Sequence, residues 1–169
     1  VLSEGFDNSQ DNTNLDYSGW VNFAEQGTEL WTEQVFRGNG YTEFSAYRTF
    51  EDVNIGWLVT PGFDLTGSTN SFINFKLAQH HLDDDQNNTL EVFISNDFDG
   101  SNVLSATWNK LSVQIPNMSN SWYAFQDSGL IDVSSYEGTI HIGFKYVGSG
   151  TNTSLDGGYF VDDILFLKK

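Results

Sequence analysis

Apolar and polar side chains alternate along three segments of the chain. In Ser71–Ala78, Thr89–Ser95 and Thr139–Val147, every second residue is apolar and most residues between them are polar. Neighbouring side chains of a β-strand point to opposite faces of the sheet, so this alternation predicts strands with one buried and one outward face. No segment of helical length repeats its apolar residues with the period of an amphipathic helix.

Shorter apolar segments, separated by turn-forming Gly, Pro, Asn and Asp, predict further strands. They lie at Leu2–Phe6, Trp20–Phe23, Leu30–Phe36, Tyr41–Tyr47, Gly56–Val59, Thr107–Leu111, Ser121–Gln126 and Gly158–Leu167. About ten short strands spaced in this way are typical of a sandwich of two β-sheets. Because the sequence contains no linker and no internal repeat, we expect one all-β domain over residues 1–169.

The charge balance narrows the range of partners. The chain has 23 acidic and 7 basic residues, a formal net charge of −16, and no cysteine. Such a surface repels nucleic acid and anionic membranes, and the lack of cysteine excludes disulfides and thiolate chemistry. No apolar segment approaches the length of about 18 residues that a membrane span needs. The chain opens almost directly on a strand pattern, so we expect a mature protein or a module of a longer one.

Six motifs occur in a recognisable order. They are Glu4–Asn8 with Ser18–Trp20, Gly56–Leu65, Ile73–Phe75, Leu90–Ser95, Tyr136–Tyr146 and Tyr159–Ile164. In this order they resemble the cleaved-adhesin, or choice-of-anchor J, domains of secreted Bacteroidetes-type proteins, and they are similar to calcium-containing carbohydrate-binding modules. The resemblance implies a jelly-roll β-sandwich of two antiparallel sheets, and a secreted or cell-surface bacterial protein.

Four carboxylates lie near the two ends of the chain, namely Glu4, Asp7, Asp162 and Asp163. The last two interrupt an apolar strand, where a carboxylate is costly unless it is paired or binds a cation, and no Lys or Arg is near them in sequence. The resemblance implies that the first and last strands are neighbours and hold a structural Ca²⁺ between these groups. Asp162 is the better ligand, since Asp163 would face the other side of the strand. The alternative is that all four are solvated acids.

A second acidic segment, His80–Asn88, has neither the spacing of a calcium loop nor a glycine hinge. We interpret it as a solvated loop. Its two histidines are potential ligands for a transition metal, but adjacent residues of a strand point apart.

Sugar-binding sites combine aromatic rings, which stack on pyranose faces, with polar side chains that bind hydroxyl groups. We expect the outward faces of the three alternating strands to form one such surface, on which Lys76 and Lys145 would also suit an acidic or sulfated glycan. Trp31, Trp108 and Trp122 are candidate platforms or loop-packing residues, and Tyr47 with Arg48 forms a further patch. The predicted sugar-binding residues are Lys76, Phe93, His141, Lys145, Trp31, Trp108, Trp122, Tyr47 and Arg48.

Catalytic signatures are lacking. The sequence has no Gly-x-Ser-x-Gly, no His-Glu-x-x-His and no phosphate loop. We therefore expect a non-catalytic carbohydrate-binding module, monomeric and part of a larger secreted protein, that targets an enzyme or surface protein to a polysaccharide. A protein-binding adhesin module is the first alternative. A small polysaccharide lyase or glycosidase, using groups such as His141, Lys145 and Tyr146, is the second.

Overall fold

The computed structural model describes residues 2–169, which form strands joined by turns and a single 3-10 turn at Val103–Ser105. The strands are β1 (Leu2–Glu4), β2 (Thr13–Asn14), β3 (Val21–Gln26), β4 (Thr32–Phe36), β5 (Asn39–Ser45), β6 (Asn54–Val59), β7 (Phe63–Asp64), β8 (Ser71–His80), β9 (Thr89–Ser95), β10 (Asn109–Lys110), β11 (Gln126–Asp127), β12 (Ile131–Asp132), β13 (Thr139–Gly148) and β14 (Gly158–Lys168). Within the described range, no helix is long and apolar enough to cross a membrane.

The strands form two antiparallel sheets that pack face to face. The larger sheet has the order β11-β8-β14-β5-β4-β2, with β1 paired to β14 and β12 paired to β8. The smaller sheet has the order β10-β9-β13-β6-β3, with β7 paired to β13. This arrangement confirms the predicted jelly-roll sandwich.

The strands with the clearest alternation are located well by the sequence. Strand β9 has the predicted bounds, and β8 and β13 extend slightly beyond theirs. Ser121–Gln126, in contrast, is mostly a loop that joins the larger sheet only through β11. Tyr123 has a left-handed φ of 63°, which is incompatible with a continuous strand.

The main core lies between the sheets and is rich in aromatic rings. Phe44 stacks on Tyr146 with 4.3 Å between ring centroids, and Phe75 meets Phe144 edge to face. Trp31 belongs to this core, because its side chain is fully buried and its Nε1 donates a hydrogen bond to the Gly56 carbonyl. Its predicted role as a sugar platform is therefore wrong.

The side chain of Asn22, on β3, fixes the backbone of Trp31 through two hydrogen bonds. Asn22 Oδ1 accepts a hydrogen bond from the Trp31 N–H at 2.9 Å, and Asn22 Nδ2 donates to the Trp31 carbonyl at 2.8 Å. These two bonds hold the backbone before β4 against β3. They direct the indole inwards, although polar residues flank it in sequence.

A second apolar cluster covers the outward face of the smaller sheet. Trp57 on β6 packs there against Phe93 and Trp108, and the segment 96–108 folds over the sheet. His141 lies under the same segment, only 9% exposed, with Nδ1 2.8 Å from the Thr60 carbonyl. The expectation that His141 projects into solvent is wrong, because this face of the sheet is covered.

The three alternating strands do not share one sheet. Strand β8 pairs with β14 in the larger sheet, whereas β9 and β13 pair with each other in the smaller one. Lys76 therefore lies on the opposite side of the sandwich from Phe93 and Lys145. The single predicted surface is in fact two, because alternation shows which residues share a face of one strand and not which strands are neighbours.

Candidate functional site

An open groove of about 720 Å³ crosses the outward face of the larger sheet. Strands β4, β5, β14 and β8 form its floor, and the loops around His81, Tyr123 and Asp156 form its walls. Pockets of roughly 300–1,000 Å³ that combine aromatic and polar side chains are typical of ligand sites. We refer to this feature as the β14 groove.

The floor of the β14 groove is aromatic. Tyr159 and Val161 of β14 point into the core, so Phe160 between them faces outwards. The Phe160 ring contacts Tyr41 of β5 at 4.5 Å between centroids and lies 6.0 Å from the Tyr123 ring, nearly parallel to it. Phe160 is almost covered, whereas Tyr123 is 53% exposed, so Tyr123 offers the free ring surface.

Two loop residues extend this aromatic surface. The Tyr123 N–H donates to the Gln79 carbonyl of β8 at 2.8 Å, which fixes the loop over the sheet. The exposed Trp122 packs on the ring of His81 at 4.0 Å between centroids, and Tyr123 stacks on His80 at 5.3 Å. The loop thus brings Trp122 to the rim of the groove, as a candidate platform residue.

A polar bridge spans the floor. His80 on β8 reaches over β14 to Glu43 on β5, with 2.7 Å between Nε2 and Oε2. Gly158 of β14 lies between the two strands and leaves room for the imidazole. His80 Nδ1 is also 2.8 Å from His81 Nδ1, so one of these nitrogens carries a hydrogen and donates a hydrogen bond to the other.

Further carboxylates line the walls. Burial raises the pKa of Asp156, and the nearby negative charge of Asp83 adds to this effect. Burial likewise raises the pKa of Glu29. Tyr41 has a pKa of about 12, again chiefly because of burial, with a contribution from the charge of Glu43. The groove is therefore both aromatic and acidic.

Some predicted sugar-binding residues lie at this groove. Tyr47 lines it and is 59% exposed, and the Arg48 guanidinium lies 5.0 Å from the centre of the Tyr47 ring. Trp122 reaches the groove through His81. Lys76 is on the same sheet but outside the lining, and its Nζ lies 2.7 Å from the Asp163 carboxylate.

The opposite sheet carries four of the others, namely Phe93, Trp108, His141 and Lys145, whereas Trp31 is in the core. Lys145 Nζ is 3.6 Å from Glu25 Oε2 and 5.3 Å from the Trp57 ring, whose Nε1 donates to the same carboxylate at 2.6 Å. Trp108 is half-buried on Trp57, and its Nε1 donates to the Val103 carbonyl. With Phe93 and His141, these residues form a packed surface and not an open ring platform.

The first and last strands are neighbours, as the resemblance implies. Strand β1 pairs with β14, and Glu4 lies opposite Ile164. The carboxylates of Asp7 and Asp163 both approach Gly5, with oxygens 3.7 and 3.4 Å from the position that a Cβ would take there. Glu4 Oε1 instead accepts a hydrogen bond from the Phe6 N–H at 2.7 Å.

Asp162 differs from the other three because it is 2% exposed. Its carboxylate accepts hydrogen bonds from Asn39 Nδ2 at 2.9 Å and from the Asp163 N–H at 2.7 Å, and burial raises its pKa to about 6. Asp163 pairs with Lys76, a partner from another strand that sequence proximity did not reveal. Across residues 2–169, no group of three or more His, Asp or Glu side chains is spaced to hold a metal ion.

Sequence reasoning missed the central groove residues Tyr123, His80, Glu43 and Phe160. They come from four separate segments, so no local pattern joins them. Gly158 is the one available signal, because a glycine inside a strand often marks a close approach of another group.

No protein-family model matches the chain, and no curated protein is significantly similar to it. Solved structures are similar in fold. Two cleaved adhesin domains of Lys-gingipain from Porphyromonas gingivalis, designated K1 and K3, match with TM-scores of 0.61 and 0.60 at 13% and 18% identity, over 99% of this chain and 98% of theirs. The CBM22-2 xylan-binding domain from Paenibacillus barcinonensis matches with a TM-score of 0.52 at 10% identity, over 99% of both chains. The chain therefore has the jelly-roll fold that these adhesin and carbohydrate-binding domains share.

Proposed function

We propose that this protein is a non-catalytic carbohydrate-binding module that binds a polysaccharide in the β14 groove. The observation that carries the proposal is the groove itself, an open channel with an aromatic floor and polar walls. In this proposal the module is monomeric and belongs to a larger secreted bacterial protein, which it directs to the polysaccharide.

The chemistry of the lining supports this function. The exposed Tyr47, Tyr123 and Trp122 rings offer faces on which pyranose rings stack. Thr32, Gln34 and Ser45 line the groove beside them and supply groups that hydrogen-bond with sugar hydroxyls. The fold shared with a xylan-binding domain is consistent with the proposal.

Affinity electrophoresis against a panel of soluble polysaccharides tests the proposal. We expect at least one polysaccharide to retard the protein without being broken down. Trp122→Ala and Tyr123→Ala should weaken the retardation, since each removes an exposed ring on which a pyranose stacks in this proposal. Lys145→Ala, on the opposite sheet, and Phe36→Ala, at an exposed aromatic outside the lining, are the controls and should leave it unchanged.

The same experiment separates the alternatives. If no polysaccharide retards the protein, the proposal is wrong, and purified host proteins then test the adhesin alternative. If the protein releases reducing or unsaturated ends, the non-catalytic assignment is wrong. Retardation that survives both groove variants but is lost in Lys145→Ala would move the site to the smaller sheet.

We further propose that a structural Ca²⁺ lies between β1 and β14. The first support is Asp162, a buried carboxylate with two neutral hydrogen-bond donors and no ion pair in the described residues. The second is the approach of the Asp7 and Asp163 carboxylates to Gly5. Calcium takes carboxylate and carbonyl oxygens, so Asp162, Asp163, Asp7 and Glu4 are the candidate ligands. Their side chains are not spaced as a metal site in the described residues, so the proposal requires them to move when the ion binds. A Ca²⁺ ion bound there would neutralise the buried charge and link the two ends of the chain.

A further inference from the structure

The β14 groove carries negative charge that is largely unpaired. Its acidic lining residues are Glu29, Glu43, Asp83 and Asp156, and no described residue of the lining is Lys or Arg. Glu43 pairs with His80. Among residues 2–169, no basic side-chain nitrogen lies within 4.0 Å of the carboxylates of the other three.

Partial burial makes this charge unfavourable without a cation. Glu29 and Asp156 are half-buried, and burial raises the pKa of each. A carboxylate that has lost part of its hydration and has no partner gains most from a cationic ligand. The charges of His80 and His81, which also line the groove, act on Asp156 in the opposite direction. Four carboxylates face these two imidazoles, so the groove still favours a positively charged ligand.

The same arrangement disfavours an anionic glycan. Lys76 and Lys145, which suggested a sulfated or acidic ligand, are engaged by Asp163 and Glu25. The net charge of −16 adds long-range repulsion of an anion. The Arg48 guanidinium beside Tyr47 acts in the opposite direction, but it is not a lining residue of the groove. A sulfate or uronate group would therefore bind against this repulsion and without a free lysine among the described lining residues of the groove.

The exposed aromatic rings also suit a cation. Tyr47 and Tyr123 line the groove and are each more than half exposed. The face of such a ring attracts an ammonium group and also stacks on the C–H face of a pyranose. Rings and carboxylates together therefore match a sugar that carries a positive charge.

We propose that the β14 groove binds a polysaccharide whose sugars carry protonated amino groups. The ammonium groups meet Asp156, Asp83 and Glu29, and the sugar rings stack on Tyr123 and Tyr47. This inference rests on the proposed carbohydrate-binding function and names its ligand class.

Calorimetric titration with matched oligosaccharides tests the ligand class at a mildly acidic pH where the amines are protonated. The probes are the β-1,4 tetrasaccharides of glucosamine and of N-acetylglucosamine. They share a backbone, and the nitrogen is a protonated amine in the first and a neutral, larger acetamide in the second. We expect the glucosamine tetrasaccharide to bind at least about tenfold more tightly, a difference of ~1.4 kcal/mol. Added salt should reduce this preference.

Charge-matched variants distinguish the groove from general attraction to an acidic protein. Asp156→Asn and Glu29→Gln each remove one groove charge, whereas Asp16→Asn and Glu137→Gln remove one exposed charge outside the lining. We expect the groove variants to lose most of the preference and the control variants to keep it. Melting curves of all four check that each variant is folded.

Four outcomes would overturn the inference. Equal losses in both sets of variants would assign the preference to net charge. Equal affinity for the two tetrasaccharides would show that binding does not depend on the amine, while leaving the carbohydrate-binding function intact. If neither tetrasaccharide binds but a neutral or anionic glycan retards the protein, only the ligand class is wrong, whereas no binding of any glycan would remove both proposals.

Discussion

His80 and Glu43 are joined across an intervening strand, with His80 Nε2 2.7 Å from Glu43 Oε2. His80 is on β8 and Glu43 is on β5, and β14 runs between them, with Gly158 opposite His80 and Phe160 opposite Glu43. The imidazole can cross β14 only because Gly158 has no side chain. A Cβ at that position would lie 2.2 Å from Nε2.

We therefore expect Gly158→Ala to displace the His80 ring and break its contact with Glu43. The backbone at Gly158 does not need a positive φ, so the effect comes from the steric clash alone. Overpacking of this kind costs about 1–3 kcal/mol, and the loss of the His80–Tyr123 stack should also weaken polysaccharide binding. Urea unfolding and affinity electrophoresis measure the two effects.

A double-mutant cycle with His80→Ala checks the cause. Once the imidazole is absent, the added methyl group has room, so Gly158→Ala should cost much less in the His80→Ala background. An equal cost in both backgrounds would mean that the glycine serves the backbone and not the imidazole.

Substitution of Trp31 should affect mainly the stability of the fold, whereas substitution of Trp122 should affect mainly polysaccharide binding. Trp31→Ala removes a fully buried ring and should lower the free energy of unfolding by about 3–5 kcal/mol. Trp122→Ala removes a ring that is 51% exposed and should change it by about 0.5 kcal/mol or less, while weakening polysaccharide binding. Chemical denaturation and affinity electrophoresis of both variants check this contrast, and an unfolding midpoint that falls as far in Trp122→Ala would contradict it.

The sequence predicts the strands well because their alternation is a local property. Thr89–Ser95 is β9, and the buried residues Val92 and Ile94 are among those that the pattern assigns inwards. Membership of a sheet is not local. Lys76 and Lys145 have similar strand patterns around them, yet they lie on opposite sides of the sandwich because β8 pairs with β14 and not with β9.

The binding surface was predictable only in part for the same reason. Trp31 and Trp122 both lie beside polar residues, but the Asn22 side chain draws one inwards and the left-handed turn at Tyr123 leaves the other outside. Neither effect is visible in composition or spacing. Tyr47 lines the groove and Trp122 packs on its lining residue His81, so their role in sugar binding stays a prediction. The His80–Glu43 bridge depends on a register between three strands that only the folded chain reveals.

Asp156 should make the stability of the protein depend on pH in a defined direction. Burial raises the pKa of its carboxyl group in the folded state, so the folded protein binds this proton more tightly than the unfolded chain. The resulting penalty is full at neutral pH and disappears as the pH falls through the folded-state pKa towards about 4, the ordinary value of Asp. Asp156→Asn should therefore be more stable than the parent at pH 7 and no more stable below about pH 4.

Asp99 provides a control, because its effect on the pH dependence of stability should have the opposite sign. Hydrogen bonds from the backbone N–H groups of Asn102 and Ser101 lower the pKa of its carboxyl group, so its ionised form favours folding at neutral pH. Asp99→Asn should lose stability at pH 7 and lose less as the pH falls below about 4. Urea unfolding of both variants at the two pH values measures the difference, and parallel pH profiles would contradict the assignment.

Asp162 should have opposite effects on stability with and without calcium. In excess chelator its buried carboxylate has only the Asn39 amide and the Asp163 N–H as partners. Asn at this position keeps an oxygen for the Asp163 N–H and removes the buried charge. Its amide nitrogen faces Asn39, whose amide must turn over so that its oxygen accepts. With that rotation, Asp162→Asn should melt at the same or a higher temperature than the parent. Thermal melting of both proteins in chelator measures this first half of the prediction.

Calcium should reverse the order. A ligand that binds only the folded state, at a free concentration of about 100 times its Kd, adds about 2.7 kcal/mol to the free energy of unfolding. For a chain of this size, that gain raises the melting temperature by roughly 5–10 °C. Asp162→Asn weakens the proposed site and should show little of this rise, while Glu137→Gln, an exposed acid far from it in sequence, should show all of it. If calcium leaves the melting temperature of the parent unchanged, the structural ion is wrong. If it raises the parent and Asp162→Asn equally, an ion binds elsewhere, because only a ligand carboxylate at Asp162 makes the gain depend on this residue.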